Sequence, residues 1–270
     1  MPQNGITYIG RNDGLGNRLE EIIVLCAYAK RTETTIRYLF NNLNGRDDRR
    51  YPLLFSVASP FLTLHTATRC NVFLARVKDK IGYQKCFGIK ELPTFRQETD
   101  PDSLRESARG IAPLFDLPAK TNESLSAIHI RGTDRIDPKG GPHFLKSREQ
   151  LEINIKKAVA YRKTKKGGET RVFSEEPALA ERVAESLSQV ATVSKRDRNS
   201  VVPTEYLDLF SLAQSDEIIM AGAPSSFCLV AAMIGNAPVS YVYLPPDLMD
   251  RFPTSYSAIG SIRVTGQLEH

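Results

Sequence analysis

The chain predicts a doubly wound α/β fold, and three features predict it. Residues 6–40 run strand, glycine-rich turn, helix, strand, the opening of a βαβ unit. Residues 125–244 alternate short β-branched strands with amphipathic helices. Gly, Pro, Asn and Ser punctuate nearly every change of period.

Taken in order, Ile6–Ile9 is a strand and Arg11–Asn17 a turn rich in Gly and Asn. Arg18–Lys30 reads as a helix with Leu19, Ile22, Ile23, Cys26 and Ala27 on one stripe. Thr35–Phe40 is the next strand. The stretch from 41 to 124 carries weaker signals. Strands are expected near Leu53–Phe55 and Asn71–Leu74, and a helix over Asp102–Leu117. The polar run Lys120–Ser124 follows Pro118 and sets a boundary, giving domains 1–120 and 121–267.

Beyond it, 125–131 is a strand and 147–163 a helix with Leu151, Ile155, Ala158 and Val159 inward. Arg162–Lys166 reads as the solvated end of that helix. Thr170–Phe173 is a strand, followed by a helix that Pro177 opens. Val190–Val193 is a strand, and Thr204 is expected to cap a helix reaching Gln214. Glu217–Met220 is a strand, Pro224–Phe227 opens a helix ending at Gly235, and Val239–Leu244 is the last strand.

Composition bounds the class. The 270 residues are 41% hydrophobic and 25% charged, a globular balance that suffices for one large domain or two ordinary ones. Thirty-six basic against 31 acidic residues leave a net charge of +5, which suits an anionic ligand without pointing to nucleic acid. Cys26, Cys70, Cys86 and Cys228 form neither a CxxC nor a zinc pattern, so buried free thiols in a reducing compartment are expected. No apolar run reaches the roughly 18 residues a membrane span needs, and no signal peptide opens the chain. A cytoplasmic protein is the expectation, with peripheral membrane contact left open.

Three places carry chemistry. In Ser126–Arg135 a buried strand runs out into a polar loop, so Ala127, His129 and Arg131 share one face and Ile128 and Ile130 the other. Arg131 at its carboxyl end sits where open α/β sheets bind ligands, and its planar fork suits a phosphate. Ser225 and Ser226 stand between a strand and a helix, where hydroxyls and free amides cradle anions; an ordinary serine cap is the plainer reading. Asp208 interrupts the apolar run Tyr206–Leu212. It is either a carboxylate on the helix's wet side or an acceptor for the paired N–H donors of a guanine edge.

Gly14-Leu-Gly-Asn-Arg18, His129-Ile-Arg-Gly-Thr-Asp134 and Pro224-Ser-Ser-Phe227, in this order, resemble the GDP-fucose-dependent fucosyltransferase superfamily. The resemblance covers the amino-terminal turn and most of 125–240. It implies a GT-B-like fold of two Rossmann-type domains with a cleft between them, the nucleotide held mainly by the second. It implies an inverting glycosyltransferase that moves fucose or a related sugar from a GDP-sugar to a glycan hydroxyl.

By the same resemblance Arg131 is the arginine on the donor β-phosphate and the one catalytic residue. His129 lies near the nucleotide and Asp208 reads guanine, eight residues before a recurring Asp216. Ser225, Ser226 and Phe227 form the phosphate-binding segment, and Gly14, Gly16 and Asn17 the amino-terminal loop that closes over the donor. No cofactor and no metal site are implied, since no DxD-like pair ends a strand. The partners implied are the donor and a glycan acceptor. Where several members carry a second Arg, this chain has Gly132, so another GDP-sugar fits the motif as well. Asp13 and Asp137 are loop carboxylates within reach of such a cleft, and neither is assigned as a base. A transferase using another nucleotide sugar, and a non-catalytic nucleotide- or glycan-binding protein, remain the alternatives.

Overall fold

The computed structural model describes residues 5–43, 51–117, 124–132, 135–141, 144–165, 167–187, 191–193, 201–244 and 262–264. The chain divides into two units, 1–116 and 117–270. Thr133 and Asp134 of the arginine motif, and Pro118 with all of the polar run but Ser124, lie outside the described residues.

The first unit contains β1 (Gly5–Ile9), α1 (Leu15–Thr32), β2 (Thr35–Phe40), β3 (Phe55–Val57), β4 (Leu62–Thr66), α2 (Arg69–Lys80), β5 (Lys85–Phe87), α3 (Leu92–Gln97), α4 (Pro101–Arg109) and β6 (Ile111–Pro113). Four strands form a parallel sheet in the order β4-β2-β1-β5, and β3 pairs antiparallel with β6. Helix α1 is buried along most of its length because α3 and α4 cover the face turned from the sheet. Glu20 is bound there by Arg96 at 2.7 Å and Arg31 reaches Glu98 at 2.6 Å.

Three expectations for this unit change. Helix α1 begins at Leu15, because Gly14 supplies an extended cap residue, so Gly16 and Asn17 belong to its first turn. Asn71–Leu74 is not a strand but part of α2. The Thr68 hydroxyl accepts from the Asn71 amide at 3.1 Å while the Asn71 side chain accepts from the Thr68 amide at 2.7 Å, and this reciprocal cap fixes a helix start. The helix expected to reach Leu117 stops at Arg109. There the chain turns, and Gly110 and Ile111–Pro113 join β3, with the Ala58 amide donating to the Gly110 carbonyl at 2.8 Å.

The second unit contains β7 (Leu125–Ile130), α5 (Arg148–Thr164), β8 (Glu169–Ser174), α6 (Pro177–Leu187), β9 (Ala191–Val193), α7 (Thr204–Ala213), β10 (Glu217–Met220), α8 (Ser226–Gly235), β11 (Val239–Tyr241) and β12 (Ile262–Val264). Its six strands among the described residues are all parallel, in the order β12-β11-β10-β7-β8-β9. Ile128 and Ile130 pack with Leu151, Ile155, Leu179 and Val183 of α5 and α6, as the alternation along β7 requires. Thr204 is the first residue of α7 rather than its cap, which is Pro203. Arg162 is buried, not solvated: it donates to the Thr170 hydroxyl at 2.8 Å and to the Gly167 carbonyl at 2.8 Å, tying the end of α5 to the start of β8. Cys26 and Cys228 are buried free thiols as expected, whereas Cys70 is exposed.

Glu21, on α1, is fully buried and accepts from the Tyr38 hydroxyl at 2.9 Å and the Arg11 amide at 3.0 Å. Burial pushes its carboxyl up from 4.5 to about 7, against these hydrogen bonds and the Arg11 charge, which pull it down. The folded state therefore holds this proton after the unfolded chain has lost it. Stability should be greatest below about pH 4.5 as far as this group is concerned and fall by roughly 3 kcal/mol as pH rises to about 7. Urea titrations across that interval test this, and Glu21→Gln should flatten the slope.

Candidate functional site

The order of the second sheet locates a crevice. From β7 the chain steps outward to β8 and β9, then returns to β10 and steps the other way to β11 and β12. The strand order thus reverses between β7 and β10, and connections leaving their carboxyl ends part on either side of that gap.

Arg131 stands one residue past the end of β7, at this gap. Its backbone is fixed by a continuation of the β7–β10 ladder. The Ala221 amide donates to the His129 carbonyl at 3.0 Å, and the Ala223 amide donates to the Arg131 carbonyl at 2.9 Å. Between them Gly222 lies so close that a Cβ would sit 2.0 Å from the Arg131 carbonyl oxygen. Only glycine permits that approach.

From this anchor the guanidinium Nη1 donates to the Ser225 hydroxyl at 3.1 Å. Ser225 is buried, has extended backbone angles and precedes α8, but its hydroxyl does not cap the helix. The plain serine-cap reading therefore fails, and the hydroxyl belongs to the arginine. Ser226 opens α8, whose first turn carries no acidic residue, so its leading amides and the positive end of its dipole stay uncompensated by a local carboxylate. His129 and Phe227 meet across the same gap with ring centroids 5.8 Å apart and planes 21° apart. The His129 Nδ1 lies 3.2 Å from the Met220 sulfur. Four of the expected residues, His129, Arg131, Ser225 and Phe227, are thus in direct contact as two pairs.

Asp208 is half-buried on α7, between the buried Tyr206 and Leu209, and α7 packs against α8. Asp216 is structural. Its carboxylate accepts from the Leu125 amide at 2.8 Å and its own amide donates to the Leu125 carbonyl at 2.7 Å, which pins the start of β7. At Gly132 a Cβ would press on the buried Leu151 at 2.7 Å, so a side chain there must first displace core.

Gly14, Gly16 and Asn17 are in the first unit. The Asn17 amide donates to Asp13 at 3.0 Å, and Arg11 clasps the same carboxylate oxygen at 2.5 and 2.9 Å. The other oxygen of Asp13 is buried and has no hydrogen-bond partner among the described residues. A Cβ at Gly14 would meet nothing, so glycine is not required there by space. Arg18, which closes the glycine motif, is buried; it donates to the Asp13 carbonyl and the Asn42 side chain, each at 2.7 Å, and lies over the Phe40 and Tyr51 rings. Its work is to hold the turn.

The first sheet also reverses, between β1 and β5, and a cavity of about 510 Å³ opens at their carboxyl ends. Arg11, Asn12, Asp13, Asn41, Arg76 and Glu91 are among its lining residues. The sequence reading missed this cavity because β5 is three residues long and half-buried, without a clear period. Asp137 is exposed and accepts from the Lys139 amide at 2.9 Å within its own turn. Among the described residues, no group of three or more His, Cys, Asp or Glu side chains is placed to hold a metal ion.

No protein-family model matches the chain, and no curated protein matches it in sequence. Solved structures do. NodZ alpha-1,6-fucosyltransferase soaked with GDP-fucose superposes with a TM-score of 0.54 at 12% identity, covering 85% of this chain and 92% of that one. A mutant of FUT1 from Arabidopsis thaliana in complex with GDP gives 0.52 at 13% identity, covering 93% of this chain and 73% of that one. POFUT1 in complex with GDP-fucose gives 0.50 at 11% identity, covering 89% and 98%. The chain has the fold of the GDP-fucose-dependent fucosyltransferases. The resemblance carried by its three motifs therefore holds at the level of the fold.

Within this fucosyltransferase fold, Gly222 is the residue on which the Arg131 junction turns. Gly222→Ala should destabilise the second unit by roughly 3 kcal/mol, measured by urea denaturation, because the atoms nearest the added methyl are all backbone atoms of Arg131. Gly14→Ala should be close to neutral.

Proposed function

We propose that the protein is an inverting glycosyltransferase that moves fucose, or a related sugar, from a GDP-sugar to a glycan hydroxyl. The observation that carries this is the Arg131–Ser225 pair at the reversal point of the second sheet, beside a first turn of α8 that carries no acidic residue. The fold shared with structures holding GDP-fucose and GDP supports the choice of donor.

In this reading residues 121–267 are the nucleotide-sugar domain and residues 1–120 the acceptor-side domain. The acceptor oxygen attacks the anomeric carbon from the face opposite the leaving group. The carbon–oxygen bond to the β-phosphate breaks, and the hydroxyl proton passes to a base or to solvent. GDP departs with added negative charge on its β-phosphate. Arg131 and the leading amides of α8 stabilise that charge as it develops, the preorganised electrostatic contribution on which such a step depends. Ser225 orients the arginine, and Phe227 and His129 wall the site. Asp208 accepts the paired N–H donors of guanine. Gly14, Gly16 and Asn17 form the amino-terminal loop that closes over the donor, and the polar lining of the first unit's cavity suits sugar hydroxyls.

Because cationic and amide donors take up the leaving-group charge, we infer that transfer needs no divalent metal. Saturating EDTA should leave the rate unchanged, and a collapse of activity restored by Mg²⁺ or Mn²⁺ would refute that inference. Arg131→Ala should lower transfer or donor hydrolysis by about 100-fold or more while the melting curve is retained. In calorimetry GDP should bind more tightly than UDP or ADP. Asp208→Asn should remove about tenfold of that preference, since one of two accepted hydrogen bonds becomes a donor clash. Equal affinity for all three nucleotides would end the guanine-reading role, and binding of GDP without any turnover would identify a non-catalytic binder.

A further inference from the structure

Helix α2 turns its apolar side outward. Ala75 is its one buried residue, packed with Leu39 and Ala67 against the first sheet. On the far side Phe73, Leu74 and Val77 are 66%, 49% and 37% exposed, and the following turn adds Ile81 at 71% and Tyr83 at 63%. At 3.6 residues per turn, Phe73, Val77 and Leu74 fall within an arc of about 100°. Basic residues bound that arc. Arg69, Arg76 and Lys80 lie along one edge and Lys78 along the other, where its ammonium stands 5.6 Å from the Tyr83 ring. The one acidic residue in α2, Asp79, is exposed but lies on the opposite side of the helix from that arc, where its carboxylate accepts from the Cys86 amide at 3.1 Å. Lys85 at the start of β5 and Lys90 after it extend the positive field, beside Ile89, which is half-exposed.

An apolar stripe on the solvent side of a surface helix, flanked by Lys and Arg and with no carboxylate inside it, is the signature of a helix lying in a lipid interface. A buried core helix shows the reverse arrangement. We propose that the outward face of α2 and the turn after it dock on an anionic lipid surface. The apolar side chains enter the headgroup boundary, and the flanking cations pair with lipid phosphates. A second copy of the chain suits this face less well, because pairing it with itself would oppose two positive rims. Arg76 and Ile89 belong both to this face and to the lining of the first unit's cavity, so docking brings that cavity to the headgroups. The inference is independent of the proposed transfer reaction, since binding is read without donor or acceptor.

The chain contains no tryptophan, so Phe73→Trp places a single reporter on the face. With vesicles of phosphatidylcholine and phosphatidylglycerol, its emission should move to shorter wavelength; with phosphatidylcholine alone it should not. In vesicle co-sedimentation, Phe73→Ser with Val77→Ser should reduce binding about tenfold or more. Lys78→Ala and Lys80→Ala should each weaken it about fivefold at low salt. Both residues of the serine pair face solvent, and an unchanged melting curve checks the fold. Emission that stays constant with both vesicles would overturn the proposal, as would equal binding to the two compositions. A concentration-dependent dimer in sedimentation velocity, lost in the serine variant with no vesicle binding in either protein, would overturn it in favour of a second copy.

Discussion

Two backbone hydrogen bonds, from Ala221 to His129 and from Ala223 to Arg131, hold the junction on which the second sheet's chemistry depends. They carry the β7–β10 ladder past the last formal strand residue and place the root of Arg131 on rigid backbone. An arginine loses considerable rotamer freedom when it is ordered. Here its root is fixed before any ligand arrives, and its head meets the Ser225 hydroxyl at 3.1 Å. Gly222 is the condition for this, because any side chain would collide with the Arg131 carbonyl. The site is therefore specified by a close approach of two main chains as much as by the charged group they support.

The first unit solves a different problem. Its α1 is covered on both sides, yet it carries Arg18 and Glu21 inward. Buried ionisable groups are costly unless their hydrogen-bonding capacity is met. Arg18 meets this with a carbonyl, an amide side chain and two aromatic faces. Glu21 meets it with a tyrosine hydroxyl and a backbone amide, and with a proton affinity raised by burial. Both groups brace the turn from Arg11 to Asn17, which borders the cavity at β1 and β5. The charge buried in α1 thus supports the geometry of a polar surface.

Much of the second unit was legible in the sequence because its elements are long or sharply bounded. The alternation of Ala127, His129 and Arg131 against Ile128 and Ile130 separated the two faces of β7, and Ile128 and Ile130 do pack together with α5 and α6. The pairing of Arg131 with Ser225 rested on two carboxyl-end motifs 94 residues apart, and the parallel sheet brings them together. Gly222 was invisible, since its requirement comes from a neighbour 91 positions earlier. One failure in each unit has a physical cause. In the first unit Asn71–Leu74 looked strand-like because its apolar residues are contiguous, and they are contiguous because α2 packs Val72 inward while exposing Phe73 and Leu74. In the second unit Arg162 sat in a basic run that reads as solvated, and only the fold shows the carbonyls waiting for it.

Hydrogen–deuterium exchange of the full chain with and without GDP tests the central claim most directly. If the nucleotide's pyrophosphate is gripped where β7 and β10 part, amides in the first turn of α8 and in the segment from His129 to Gly132 should gain protection on GDP addition. Saturable GDP binding that leaves those amides unprotected, with protection arising elsewhere in the chain, would contradict the account.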